Sequence, residues 1–134
     1  MKDRLLAWWG QHHARTAEVD GVQIYVPAGV LNPILFRTGA WFARVVAERV
    51  EPGTRLLDLG CGSGVVGVLA QRAGAQVVAA DVDLQACAAA RANGIETVYD
   101  GDLFDALPSD EAPYDLVCFN PPYLPNPNNR HPWA

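Results

Sequence analysis

The chain has 134 residues, 50% of them hydrophobic and 19% charged, which fits one soluble globular domain and excludes disordered and fibrous classes. A formal net charge of −5, with Lys2 the only lysine, argues against a generally basic nucleic-acid-binding surface and leaves room only for a local arginine cluster. Cys61, Cys87 and Cys118 are odd in number and far apart, so neither a disulfide framework nor a metal site is expected; with no apolar stretch of the ~18 residues a membrane span needs, the expected place is a reducing cytoplasm, away from membranes.

Residues 3–14 read as a short helix, on which adjacent His12 and His13 point in different directions and Trp8 and Trp9 form a packing face. Thr16–Val19 and Val22–Val26 flank Asp20-Gly21, the dipeptide that best suits the two positive φ angles of a type I′ hairpin. Pro27–Pro33 is a punctuated connector. From Thr38, the residues Trp41, Phe42, Val45, Val46 and Val50 recur at helical spacing up to Pro52-Gly53, and this helix is expected to lie against a sheet.

Arg55–Leu59 reads as a strand, Val65–Arg72 as a helix ended by Gly74, Gln76–Val82 as a second strand, and Leu84–Ala92 as a helix that Asp83 caps and Asn93-Gly94 stops. Ile95–Tyr99 is a third strand, Leu103–Leu107 a turn or brief helix, and Tyr114–Asn120 a fourth strand with the continuous apolar run of a buried parallel strand. Strands alternating with helices predict a right-handed parallel α/β sheet. After Tyr123 the chain runs into LPNPNNRHPWA, which reads as an unfinished loop. Two units are expected: residues 1–37 as helix, hairpin and connector, and residues 38–134 as an α/β domain truncated at its carboxyl end.

Asp58-Leu59-Gly60-Cys61-Gly62-Ser63-Gly64 joins the first strand to its helix, and the three glycines let the backbone turn sharply and approach a ligand. A dinucleotide fingerprint runs G-x-G-x-x-G and sets pyrophosphate on the helix dipole. Here the spacing is G-x-G-x-G behind Asp58, a carboxylate that repels phosphate and suits an ammonium group. Asp81, at the tip of the second strand, can accept both hydroxyls of a ribose, while Asp83 competes for that role and is better placed as a helix cap. Asp102 can bond an adenine amino group, with Leu103 as an apolar wall. Asp58, Asp81 and Asp102 are thus expected along the carboxyl edge, where open α/β sheets bind ligands.

The series DLGCGSG, AADVD, GDLFDAL and FNPPY, within a stretch from Tyr25 to Tyr123, resembles the HemK-like glutamine methyltransferases and the methyltransferase small domain among class I S-adenosylmethionine-dependent methyltransferases. The resemblance implies a Rossmann-like sheet of strand order 3-2-1-4, with three further strands and a helix in relatives beyond the NPPY turn. It also implies S-adenosylmethionine as cofactor, held by Gly60, Cys61, Gly62, Ser63 and Gly64 with Asp81, an adenine pocket at Asp102 and Leu103, and Asn120 on the acceptor nitrogen. The segment YVPAGVLNPILFRTG resembles the cofactor-side segment of small-domain relatives but lacks the acidic residue some carry there.

Asn120-Pro121-Pro122-Tyr123 has its own chemical logic. An amide or arylamine nitrogen is a poor nucleophile because its lone pair is delocalised, so it must be fixed in line with the methyl donor. The Asn120 side-chain oxygen and the Pro121 carbonyl can each accept one N–H of an NH2 group, and their dipoles stabilise the charge that develops on nitrogen. Tyr123 can stack on the planar group. The expected acceptor is protein glutamine N5, as in a translation release factor; the alternatives are adenine N6 or guanine N2 of RNA or DNA, or a non-catalytic S-adenosylmethionine-binding remnant. A NAD-dependent oxidoreductase is disfavoured by the glycine spacing. Association through the open edge of the fourth strand is also expected.

Overall fold

The computed structural model describes residues 15–30 and 37–121. The predicted helix over 3–14, part of the connector, Pro122, Tyr123 and the tail after them lie outside the described residues.

Strands β1 (Arg15–Val19) and β2 (Val22–Val26) form the expected antiparallel hairpin, with Asp20 and Gly21 at φ 50° and 77°. Alternation sends Ala17, Val19, Ile24 and Val26 inward. Helix α1 (Arg37–Arg49) follows. Its buried stripe is Ala40, Ala43 and Val46, with Phe42 and, just past the helix, Val50 partly buried, whereas Trp41 is 61% exposed. The helix packs mainly on α2 (Val65–Arg72), and its buried stripe joins the core that covers Leu56 and Cys118 of the sheet; its small residues permit close helix–helix approach and turn the large indole outward.

The parallel sheet comprises β3 (Arg55–Leu59), β4 (Gln76–Asp81), β5 (Thr97–Asp100) and β6 (Leu116–Phe119), in spatial order β5-β4-β3-β6, which is the 3-2-1-4 arrangement. The bounds of β3, α2 and α3 (Leu84–Ala92) match expectation to the residue, because turn glycines and the Asp83 cap punctuate them. The third strand begins two residues later than expected. Ile95 precedes it as a buried plug, its Cδ1 lying against Gly64 and Gly67.

One face of the sheet carries the hairpin and the three helices over Leu56, Val77, Ala79, Val98 and Cys118. The other packs Leu57, Leu59, Val78 and Ala80 with Tyr99 of β5 and with Ala106, Leu107 and Tyr114, from a short 3-10 helix (Leu103–Ala106) and the connection to β6. On β6, Val117 and Phe119 are 47% and 45% exposed, so this strand is not the fully buried one its apolar run suggested; it pairs with β3 alone among the described residues. No described helix is long and apolar enough to cross a membrane.

Arg55 sets the register of β6. Its guanidinium stacks on Tyr114 at 4.3 Å and bonds Glu111 and the Ala112 and Pro113 carbonyls, while its backbone N–H donates to Asp115 Oδ2 at 2.8 Å. Leu59 consequently ends opposite Phe119, which brings Asn120 out beside the glycine loop.

Candidate functional site

Parallel pairing puts the carboxyl ends of β3, β4, β5 and β6 on one edge. The loop after β3 bends over β4: the Gly60 and Cys61 N–H groups donate to the Ala80 carbonyl at 2.8 and 3.1 Å, and the Gly64 N–H closes a turn on the Cys61 carbonyl at 2.9 Å. Gly60 has φ 66°, and a Cβ there would meet the Phe119 ring at 3.5 Å, so the loop passes directly beneath the strand that delivers Asn120.

Asp81 ties this edge together. Oδ2 accepts from the Gly62 N–H and Oδ1 from the Asp83 N–H, each at 2.9 Å. A carboxylate offers about four lone-pair sites, so each oxygen retains capacity for a hydroxyl donor from the crevice. Burial raises its pKa, opposed by those two backbone N–H groups. Asp83 is the α3 cap, accepting from the Gln85 N–H at 2.9 Å, the capping role expected for it.

Asp102 begins the 3-10 helix without a side-chain cap bond and is exposed. Leu103 follows at φ 47° and is 43% exposed. A non-glycine residue in the left-handed region costs about 1 kcal/mol, and such strain concentrates where backbone faces a ligand.

The structure therefore brings Gly60, Gly62, Asp81, Asp102, Leu103, Asn120 and Pro121 to accessible positions on one edge and leaves Asp58, Cys61, Ser63 and Gly64 buried behind it. Asp58 is the fourth residue of β3, not its tip, and alternation gives it the face of Leu56 under α2. It is 3% exposed and its Oδ2 has no hydrogen-bond partner among the described residues. Burial first, and the Asp81 charge second, push its pKa to about 7 against a lowering contribution from the Gly67 N–H.

That shift has a sign in stability. Below about pH 4 the carboxyl is neutral folded and unfolded; between there and about 7 only the folded chain keeps the proton, so stability falls as pH rises. Asp58→Asn should remove up to about 3 kcal/mol of this loss. Denaturant titrations at pH 4.5 and 7.5 should show the variant with the flatter dependence; equal slopes in both proteins would mean that Asp58 does not ionise in that window.

Burial and the neighbouring Asp58 carboxylate push the Cys118 thiol to about 12, and burial raises Cys61 and Cys87 as well. These thiols are protonated at neutral pH and are not nucleophiles.

The methyltransferase small domain model matches residues 40–130. The chain belongs to this family. A tRNA1(Val) (adenine(37)-N6)-methyltransferase of Parabacteroides distasonis is 37% identical over 64% of the chain and 37% of its own length. The ribosomal protein L11 methyltransferase of Burkholderia multivorans is 42% identical over 60% of the chain and 26% of its own. Among solved structures, the T. thermophilus 16S rRNA N2 G1207 methyltransferase, in complex with AdoMet and guanosine, superposes with TM-score 0.59 at 28% identity over 84% of the chain and 33% of that protein. The chain thus spans about a third of the length of these methyltransferases.

Within the methyltransferase small domain frame, sequence reasoning missed Asn93, which it treated only as a helix stop. Its side chain bonds the hairpin and the glycine loop at once. No local pattern announces a bond between positions 25 and 93.

Proposed function

We propose that the carboxyl edge binds S-adenosylmethionine and serves methyl transfer to a planar amide or amino nitrogen, as part of a cytoplasmic enzyme. The observation that carries this is the buttressing of the glycine loop by Asp81 on the same edge from which Asn120 emerges. The residues fit the cofactor: Asp81 retains acceptor capacity for ribose hydroxyls, Asp102 carries an uncommitted carboxylate beside the apolar Leu103, and Gly60 and Gly62 leave backbone open to close approach.

When bound, the cofactor supplies an electrophilic methyl group. Asn120 and Pro121 then act on the acceptor: the Asn120 side-chain oxygen and the Pro121 carbonyl accept its two N–H groups and orient its lone pair. No strong base is needed on these residues, since the nitrogen proton becomes acidic once the methyl is attached.

Protein glutamine is the first acceptor on this reading, because the chain's net charge of −5 opposes a polyanion. The second is an exocyclic amine of a nucleobase, supported by the adenine-N6 and guanine-N2 names among the similar proteins. Labelled methyl transfer to glutamine-containing peptides and to adenine- and guanine-containing RNA distinguishes them. Incorporation into neither acceptor by a chain that binds cofactor would favour a binding role without transfer.

Asp81→Ala should weaken S-adenosylhomocysteine binding by about 1.5 to 3 kcal/mol, the scale of a charged hydrogen bond. Unchanged affinity in a calorimetric titration would remove Asp81 from the site.

A further inference from the structure

Asn93 follows the last residue of α3, and its side-chain amide leaves the helix entirely. Oδ1 accepts from the Tyr25 N–H and Nδ2 donates to the Tyr25 carbonyl, both at 2.8 Å, so the amide pairs with β2 as one residue of a neighbouring strand would. Nδ2 also donates to the Ser63 carbonyl at 2.8 Å. Both N–H donors of the amide can thus be committed, one to the hairpin and one to the glycine loop.

The Ser63 carbonyl belongs to the peptide unit whose N–H, on Gly64, is held by the Cys61 carbonyl at 2.9 Å. One end of that peptide is fixed from within the loop and the other from α3. The rest of the loop is pinned from β4 through Ala80 and Asp81. Gly64, at φ 88°, resists peptide rotation little by itself, so orientation must come from these two bonds. Ser63 is 2% exposed, so water is a poor substitute partner.

We propose that Asn93 is a positioning residue for the cofactor loop, fixing the Ser63-Gly64 peptide through the Ser63 carbonyl and locking the hairpin into the same unit. This rests on the loop being the S-adenosylmethionine site. A loop ordered in advance binds without spending free energy on ordering, and loss of the tether returns that cost. The hairpin has a second attachment, the ion pair of Arg44 in α1 with Asp20, at 2.7 Å, and it does not involve the loop.

Calorimetric titration of S-adenosylhomocysteine into wild type, Asn93→Ala, Asn93→Asp and Arg44→Ala, with a thermal melt of each, tests this. Asn93→Ala should weaken binding about tenfold. Asn93→Asp should weaken it further, because it sets a carboxylate oxygen against two carbonyls. Arg44→Ala should stay within about twofold, as an exposed ion pair contributes little. Equal losses in Asn93→Ala and Arg44→Ala, or a lower melting temperature in Asn93→Ala with wild-type affinity, would overturn the proposal.

A second measurement needs no variant. Saturating wild type with S-adenosylhomocysteine should slow hydrogen exchange of the Tyr25 and Gly64 amides by a common factor, and an unaffected Tyr25 amide would contradict the coupling. A wild type that binds no cofactor overturns the reading of the site, and the proposal with it; a wild type that binds as tightly as Asn93→Ala overturns the proposal alone.

Discussion

Asn120→Ala should lower the methyl-transfer rate at least about 100-fold while leaving cofactor affinity within a few-fold, because its oxygen is assigned to charge that develops only on the reacting nitrogen. The residue is half-buried, directly after Phe119, whose ring lies over Gly60. Single-turnover rates and a binding isotherm on the same preparation check this. Equal losses in rate and affinity would move Asn120 to the cofactor's side of the site.

Gly64→Ala should be the most disruptive single methyl in the loop. The residue sits at φ 88°, a conformation costing a non-glycine residue about 1 to 2 kcal/mol. A Cβ there would also lie 2.8 Å from Ile95 Cδ1 and 3.2 Å from the Ala90 Cα. Ile95 can adjust its end, but Ala90 is backbone of α3 and moves only with the helix, adding about 1 to 3 kcal/mol. A total of about 2 to 5 kcal/mol should appear in the denaturant midpoint. A loss under about 1 kcal/mol would mean that α3 is free to yield.

The same glycine shows where sequence reasoning works. Gly60, Gly62 and Gly64, with Asp81 at a strand tip, form a local pattern whose geometry depends on a few neighbours: all three glycines have positive φ, and Gly62 is tied to Asp81. Helix bounds set by Asp83 and Gly74 were legible for the same reason. Ile95 was misread because a β-branched apolar residue before Thr97 scores as strand, whereas its side chain is consumed under the glycine loop before the strand begins. Asp58 was placed at an edge by its position in the motif. Strand parity, decided by which face of β3 the helices cover, buries it instead. The exposure of Val117 and Phe119 depends on what lies over one sheet face, which an apolar run cannot report. Asn93 was invisible because its partners, Tyr25 and Ser63, are brought to it only by the tertiary fold.

The central claim is that the edge carrying Gly60, Asp81 and Asp102 binds S-adenosylmethionine, and a map of backbone amide shifts on titration tests it residue by residue. S-adenosylhomocysteine should shift Gly60, Gly62, Val82 and Leu103 and leave the opposite end of the sheet, at Arg55, Gln76 and Thr97, unchanged, while NAD at the same concentration should shift none of them. Shifts confined to that opposite end, or the same pattern produced by NAD, would contradict the account.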